Sequence, residues 1–269
     1  MKKKNLVLLA FALTTICITS CTSSDDVAHL ATKPVASTFK NPYSFIGVLH
    51  NEALDSVKAQ KVTIDNLKHF TKEFTDRHNK QIPELAKSQQ EDQHSEVSID
   101  NGFDIGKKTC QVTTRAAMDA LTDSLIKAFP IEGQKYIAKI YEICDKEEHD
   151  SVKINNIFDN FDITINNDTN IDDTLKHVLL ATSSIARATN IYNADTFRTL
   201  STRGATWRSA CRADVGGAIG GILGRGAFVR AAFSGLMFGP SGIVCSFARD
   251  AVRGAIASSA LHVISGGRI

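Results

Sequence analysis

Apolar residues recur at spacings of three and four along most of this chain, with no convincing series of alternating strands, and the pattern predicts an all-α fold. Asn41-Pro42 opens the first helix, with a cap residue followed by a proline suited to an early helical position. Ile46, His50, Ala53 and Val57 then share one face. A second amphipathic stretch begins near Thr63, carries Ile64, Leu67, Phe70 and Phe74 at helical spacing, and stops before Pro83. Residues 84–107 are polar and poorly patterned, and read as a short helix and an exposed loop. A helical hairpin follows. Met118, Leu121, Leu125 and Phe129 stripe its first arm, Pro130 and Gly133 mark the turn, and Tyr136, Ile137, Ile140 and Cys144 stripe the second. The Asn/Asp-rich stretch 155–173 reads as a solvated loop, ahead of a strong helix through Leu175, Val178, Leu179, Thr182, Ile185 and Ala186.

The last third changes character. Asp214 is placed to cap a helix, and Gly216, Gly220 and Gly224 follow at a spacing of four, a smooth helix-packing groove that Gly217 and Gly221 widen. Each mid-helix glycine costs about 0.5–1 kcal/mol relative to alanine, so such a helix needs a partner packed closely into the groove. Gly239-Pro240-Ser241-Gly242 predicts a turn, with a second helix from Ile243 to about Ile264 that carries Ser246, Gly254 and Ser258. The whole resembles glycine-zipper segments of membrane-associated proteins and the Gly/Ala-rich helical hairpins of some bacteriocins. Arg225, Arg230, Arg249, Asp250 and Arg253 interrupt the two arms. At mid-bilayer each would cost about 2.5–3.5 kcal/mol, which argues against a stable monomeric span. Three placements remain: packed on its own body, lying on a membrane, or inserting on self-association.

The opposite end has a different logic. Met1 to Asn5 is cationic, Leu6 to Ile18 is apolar but too short to span a bilayer, and Ile18-Thr19-Ser20-Cys21 closes the run. That quartet resembles the lipobox of bacterial lipoproteins, although Ile18 and Thr19 stand where Leu and Ala or Ser are most frequent. The resemblance implies cleavage before Cys21 and a lipid on its thiol. Ser24-Asp25-Asp26 resembles the export signal of surface lipoproteins in the Bacteroidetes, which implies an outer-membrane lipoprotein displayed outward. The expected organisation is a signal peptide at 1–20, a flexible tether at 21–40, an acidic helical domain at 41–202 and a basic hairpin at 203–269.

Charge divides along the same lines. From Cys21 to Thr202 there are 20 Lys plus Arg against 27 Asp plus Glu; from Arg203 onward there are 8 Arg, no Lys and 2 Asp. Arginine-only usage suits interfacial or partly buried cations, and complementary charge favours packing of the tail on the acidic body. No nucleic-acid partner is assigned to it. Besides Cys17 and Cys21 the chain holds Cys110, Cys144, Cys211 and Cys245. An oxidising envelope permits disulfides, and four thiols allow three pairings. Cys110 and Cys144 lie near the open end of the 118–144 hairpin, so a disulfide between them is the expectation. A straight tail hairpin would separate Cys211 from Cys245 by about 40 Å and leave Cys245 a buried thiol.

Candidate chemistry is sparse. Asn41 to Asp55 resembles an Asn-Pro-Tyr…Gly…His-Asn-Glu…Leu-Asp segment near the mature start of secreted proteins of unknown role, and brings no activity with it. His50 and Glu52 point about 200° apart on a helix and no second histidine completes a metal set. Asp159 to Asp173 lacks the glycine and terminal Glu of a calcium loop. No nucleophile elbow, phosphate loop or dinucleotide fingerprint is present. No catalytic residue, metal or cofactor is assigned. The reading is a non-enzymatic envelope protein, joined to a membrane by lipid on Cys21, whose tail packs helices, contacts membrane or self-associates. The alternatives are a membrane-active, bacteriocin-like effector and a hydrolase with a pocket gathering His50 and several carboxylates.

Overall fold

The computed structural model describes residues 39–81, 95–112, 114–146, 148–196, 207–223 and 240–265. Among these the chain is all-α, with nine helices: α1 (Ser44–Gln60), α2 (Ile64–Gln81), α3 (Ser95–Gln111), α4 (Arg115–Lys127), α5 (Ile131–Cys144), α6 (Ser151–Asn167), α7 (Asp173–Thr196), α8 (Trp207–Leu223) and α9 (Pro240–Ile264). Short polar residues start several of them. Asn41 Oδ1 accepts from Tyr43 N ahead of α1, Thr114 Oγ1 from Ala117 N at α4, and Asp150 Oδ1 from Val152 N and Lys153 N at α6. The last two satisfy backbone donors that their helices leave unpaired, whereas α1 begins at Ser44 behind Tyr43 with no side-chain cap, so Asn41 and Pro42 lie ahead of the helix rather than opening it. Lys61, at φ 52°, ends α1 in the left-handed region.

One expected loop is a helix, and the short helix expected within 84–107 is a long one. The Asn/Asp-rich segment forms α6, and Ile154, Phe158, Phe161 and Ile165 line its buried face. The poorly patterned stretch forms most of α3, whose Ser98, Ile99, Phe103 and Cys110 are buried. The first hairpin arm is shallower than expected, since Met118, Leu121 and Leu125 are only half-buried. Gly133 lies inside α5 rather than at the turn, where Leu175 packs against it.

The nine described helices all fall in one compact unit. α9 is its central helix. It packs against α8, α3, α1, α2 and α7, and nearly every residue from Ser246 to His262 is buried. A helix covered all round occupies the interior rather than a surface. One large hydrophobic cluster joins α9 to α1 and α5–α8; a smaller one joins Leu261, Ala257 and Ala260 to Leu54, Val57, Leu67, Ile99 and Phe103. No helix among the described residues is long and apolar enough to cross a membrane.

Candidate functional site

Three helices meet where the glycines concentrate. A Cβ on Gly254 of α9 would strike the Gly217 carbonyl oxygen and come within 2.8 Å of Gly221 N and Cα on α8. A Cβ on Gly217 would come within 2.5 Å of the Gly254 oxygen and of Ser258 Cβ, and one on Gly221 would strike the Asp250 oxygen. From the other side, Gly102 of α3 lies against Gly254, with a Cβ placed 2.6 Å from its Cα, and Gly106 lies against Ser258. Backbone therefore meets backbone on two faces of α9, an approach that only residues without a side chain permit.

The expected groove residues are turned elsewhere. Gly216 and Gly220 face α3, where an added Cβ would meet Ile105 side-chain carbons at 3.0 and 3.1 Å. Gly224 lies outside the described residues, as do Cys21, Arg225 and Arg230. The helix-to-helix seam belongs to Gly217 and Gly221, one position along. Gly102 and Gly106 stand in a stretch without apolar periodicity, yet Ser98, Gly102, Gly106 and Cys110 are small residues spaced by four. That spacing is the signal that marks them.

Charges in the central helices are partnered from the acidic elements. Arg253, only 3% exposed, donates through Nη2 to Asp76 Oδ1 at 2.8 Å and through Nε to Thr75 Oγ1 at 3.3 Å. Burial alone would raise the Asp76 carboxyl; the Lys72 hydrogen bond and the Arg253 charge outweigh it and hold Asp76 below the usual value. Arg212 of α8 joins Asp119 at 2.8 Å and Asp145 at 3.0 Å. Asp214 does not cap a helix. It sits in the middle of α8, because α8 begins at Trp207, and its carboxylate accepts from Thr189 Oγ1 at 2.7 Å.

His50 is fully buried beside that carboxylate. Its Nε2 lies 2.9 Å from Ser259 Oγ and 3.6 Å from Asp214 Oδ2, while Nδ1 lies 3.1 Å from Asn51 Oδ1. A catalytic triad places the serine and the carboxylate on opposite ring nitrogens. Here both face Nε2, and the Ser259 hydroxyl also donates to Ala255 O. The arrangement joins α1, α7, α8 and α9 through side chains and gathers one carboxylate rather than several. Glu52 and Asp55 lie apart from it, on the wall of a separate cleft with Phe70, Phe74 and His78.

The cysteines pair differently from the expectation. Cys144 of α5 is bonded to Cys211 of α8, with Cα atoms 6.2 Å apart, and Cys110 is free and buried. Because α8 starts at Trp207, Cys211 lies over Cys144. α3 instead carries Cys110 to the end of α9, where its Sγ is 3.7 Å from His262 Nδ1 and 3.4 Å from Ser265 Oγ. Burial raises the Cys110 thiol pKa and lowers that of the His262 imidazole, so both are held neutral. The side chain of Cys245 lies outside the described residues.

Among the described residues no group of three or more His, Cys, Asp or Glu side chains is placed to hold a metal ion. No protein-family model matches the chain, and neither the curated proteins nor the solved structures contain a significant match.

Proposed function

We propose that this chain is a lipid-anchored cell-envelope protein without catalytic activity, held through Cys21, whose C-terminal helices form the centre of its own globular domain. The observation that carries the second half is the burial of Gly217, Gly221 and Gly254 in one three-helix contact with Gly102. Glycines spent on packing inside one chain leave no reason to invoke membrane insertion or self-association through the same faces. The Cys144–Cys211 bond supports an oxidising compartment, where disulfides persist. The lipid on Cys21 rests on the leader and its quartet. A single acyl chain holds a membrane weakly, but lipoprotein cysteines carry more than one, so a second anchor is not required.

Fractionation of cells carrying Cys21→Ala tests the reading. Release of the variant as a soluble, folded protein is the expected result. Continued sedimentation with membranes would overturn it and return the attachment to the C-terminal helices. Vesicles enclosing a dye provide the second arm: the purified chain leaves them intact if its tail is core, whereas leakage from anionic vesicles would support the membrane-active alternative.

A further inference from the structure

His50 stands where four helices meet, and the protons on its ring follow from the atoms around it. Ser259 Oγ of α9 lies 2.9 Å from His50 Nε2 and 2.6 Å from Ala255 O. A backbone carbonyl only accepts, so the hydroxyl hydrogen points at Ala255 and Ser259 turns a lone pair toward Nε2. The Asn51 amide is fixed in the same way. Its Nδ2 donates to Ala188 O of α7 at 3.2 Å, and the reverse orientation would set oxygen against oxygen there. The atom 3.1 Å from His50 Nδ1 is therefore Oδ1, a second acceptor.

Both ring nitrogens thus face oxygens that can only accept from them. A neutral ring carries one N–H and would set a lone pair against the other oxygen, in a side chain with no exposed surface. An imidazolium donates to both. Its charge is matched, because Asp214 Oδ2 of α8 lies 3.6 Å from Nε2 and accepts from Thr189 Oγ1 at 2.7 Å. Among the described residues His50 is the one cation within ion-pair distance of that carboxylate. A lone buried charge is costly, and removing one member of a buried pair leaves the other uncompensated, so ring and carboxylate hold each other in charged form. The other titratable neighbours are neutral or engaged elsewhere. Burial lowers the pKa of His262 on α9 and raises that of Tyr192 on α7, two further groups that feel the Asp214 charge. Arg253 on α9 is turned to Asp76.

We infer that His50 is an imidazolium ion paired with Asp214 inside the domain, and that the pair is a proton-operated latch on α1. Its partners outside α1 lie on α8 and α9, and the Asn51 amide that takes its other proton is tied to α7. With both protons in place, one side chain joins α1 to three helices. When one proton leaves, Asp214 becomes a buried carboxylate without a cation, and one oxygen partner faces a lone pair. α1 therefore loosens on the alkaline side while its neighbours stay packed. A histidine stabilised in its charged form contributes at lower pH, and the contribution is lost as the pH rises. α1 is the first described helix after Cys21, so on the reading that Cys21 is anchored the latch sets how firmly the domain holds its anchored end.

Nitrogen-resolved NMR of the histidine rings in the full chain reads the protons directly. His50 is identified by its through-space contact with Ser259, and His262, held neutral by burial, supplies a one-proton reference in the same spectrum. At about pH 7.5, where an exposed imidazole is mostly neutral, His50 should retain both N–H protons. Asp214→Asn, which keeps an oxygen for Thr189 and removes the charge, should leave it one. Hydrogen exchange, corrected for the pH dependence of the intrinsic rate, reads the latch. Protection of the α1 amides should fall at least about tenfold relative to α5 between about pH 6 and about pH 9. A single ring proton on His50 in the unaltered chain, two retained in Asp214→Asn, or α1 protection that follows α5 throughout would overturn the inference. None of these readouts depends on attachment through Cys21, so their failure would leave that reading standing.

Discussion

Around α5, α6 and α7 the helices are held together by large side chains: Ile137, Ile140, Phe158, Ile165, Leu179 and Ile185 are fully buried there. Where α3, α8 and α9 meet, the contact is made by the absence of side chains, at Gly102, Gly217, Gly221 and Gly254. The first region follows ordinary core packing, in which lost volume costs stability. In the second, added volume costs stability and lost volume hardly arises. The two also differ in polarity. Arg212, Asp214, Asp250 and Arg253 are buried in the glycine region, where small neighbours leave room for charges reaching partners on α2, α4 and α7. The described helices of a tail that looks membrane-directed as a linear sequence, α8 and α9, are buried in the interior of the domain.

The comparison breaks first if the side-chain region tolerates truncation. Phe158→Ala should destabilise the protein by about 3–5 kcal/mol, measured by chemical denaturation. A cost under about 1 kcal/mol would mean that α6 is not part of the core. The next largest effect tests the bond that staples the two regions together. Cys144 and Cys211 are separated by 67 residues, so removing the pair with Cys211→Ala should cost about 4 kcal/mol in the chain-entropy account. Non-reducing peptide mapping should find this pair and leave Cys110 as a free thiol.

A smaller effect follows from acid. Burial lowers the pKa of His262 in the glycine region and of His177 on α7 below the ordinary value of about 6.5. The unfolded chain therefore takes up these protons first. The resulting stability is complete above about pH 6.5 and falls as the pH drops below it, by at most about 1.4 kcal/mol per pH unit for each group. His262→Gln should flatten part of that slope in denaturation curves collected between pH 7 and 5. An unchanged slope would mean that His262 is not held neutral in the fold.

The strongly periodic helices α1, α2 and α7 were legible in the sequence because their apolar faces have the helical period. α6 was hidden by composition. Asn and Asp fill its exposed face, and Ile154, Phe158, Phe161 and Ile165 are outnumbered although their spacing is helical. α3 was hidden for another reason. The backbone approach it makes to α9 runs through Gly102 and Gly106, which carry no hydrophobic signal to count. The glycine spacing in α8 pointed to close packing, but α9 takes Gly217 and Gly221 while Ile105 of α3 takes Gly216 and Gly220, because α3 and α9 approach different faces. Asp214 looked like a cap at the border of an apolar run. Its partners, Thr189 and His50, come from two other helices, α7 and α1, and no local pattern could supply them.

The most direct measurement compares two neighbouring substitutions, Gly221→Ala and Gly220→Ala, in the same denaturation experiment. Alanine gains about 0.5–1 kcal/mol of helix propensity at both positions. At Gly221 the added carbon strikes the Asp250 backbone, which cannot yield, and a net loss of about 2–3 kcal/mol is expected. At Gly220 it meets the Ile105 side chain at 3.1 Å, which can shift, and stability should change by less than about 1 kcal/mol. Equal losses at the two positions, or a larger loss at Gly220, would contradict the packing of α8 against α9 through Gly217, Gly221 and Gly254.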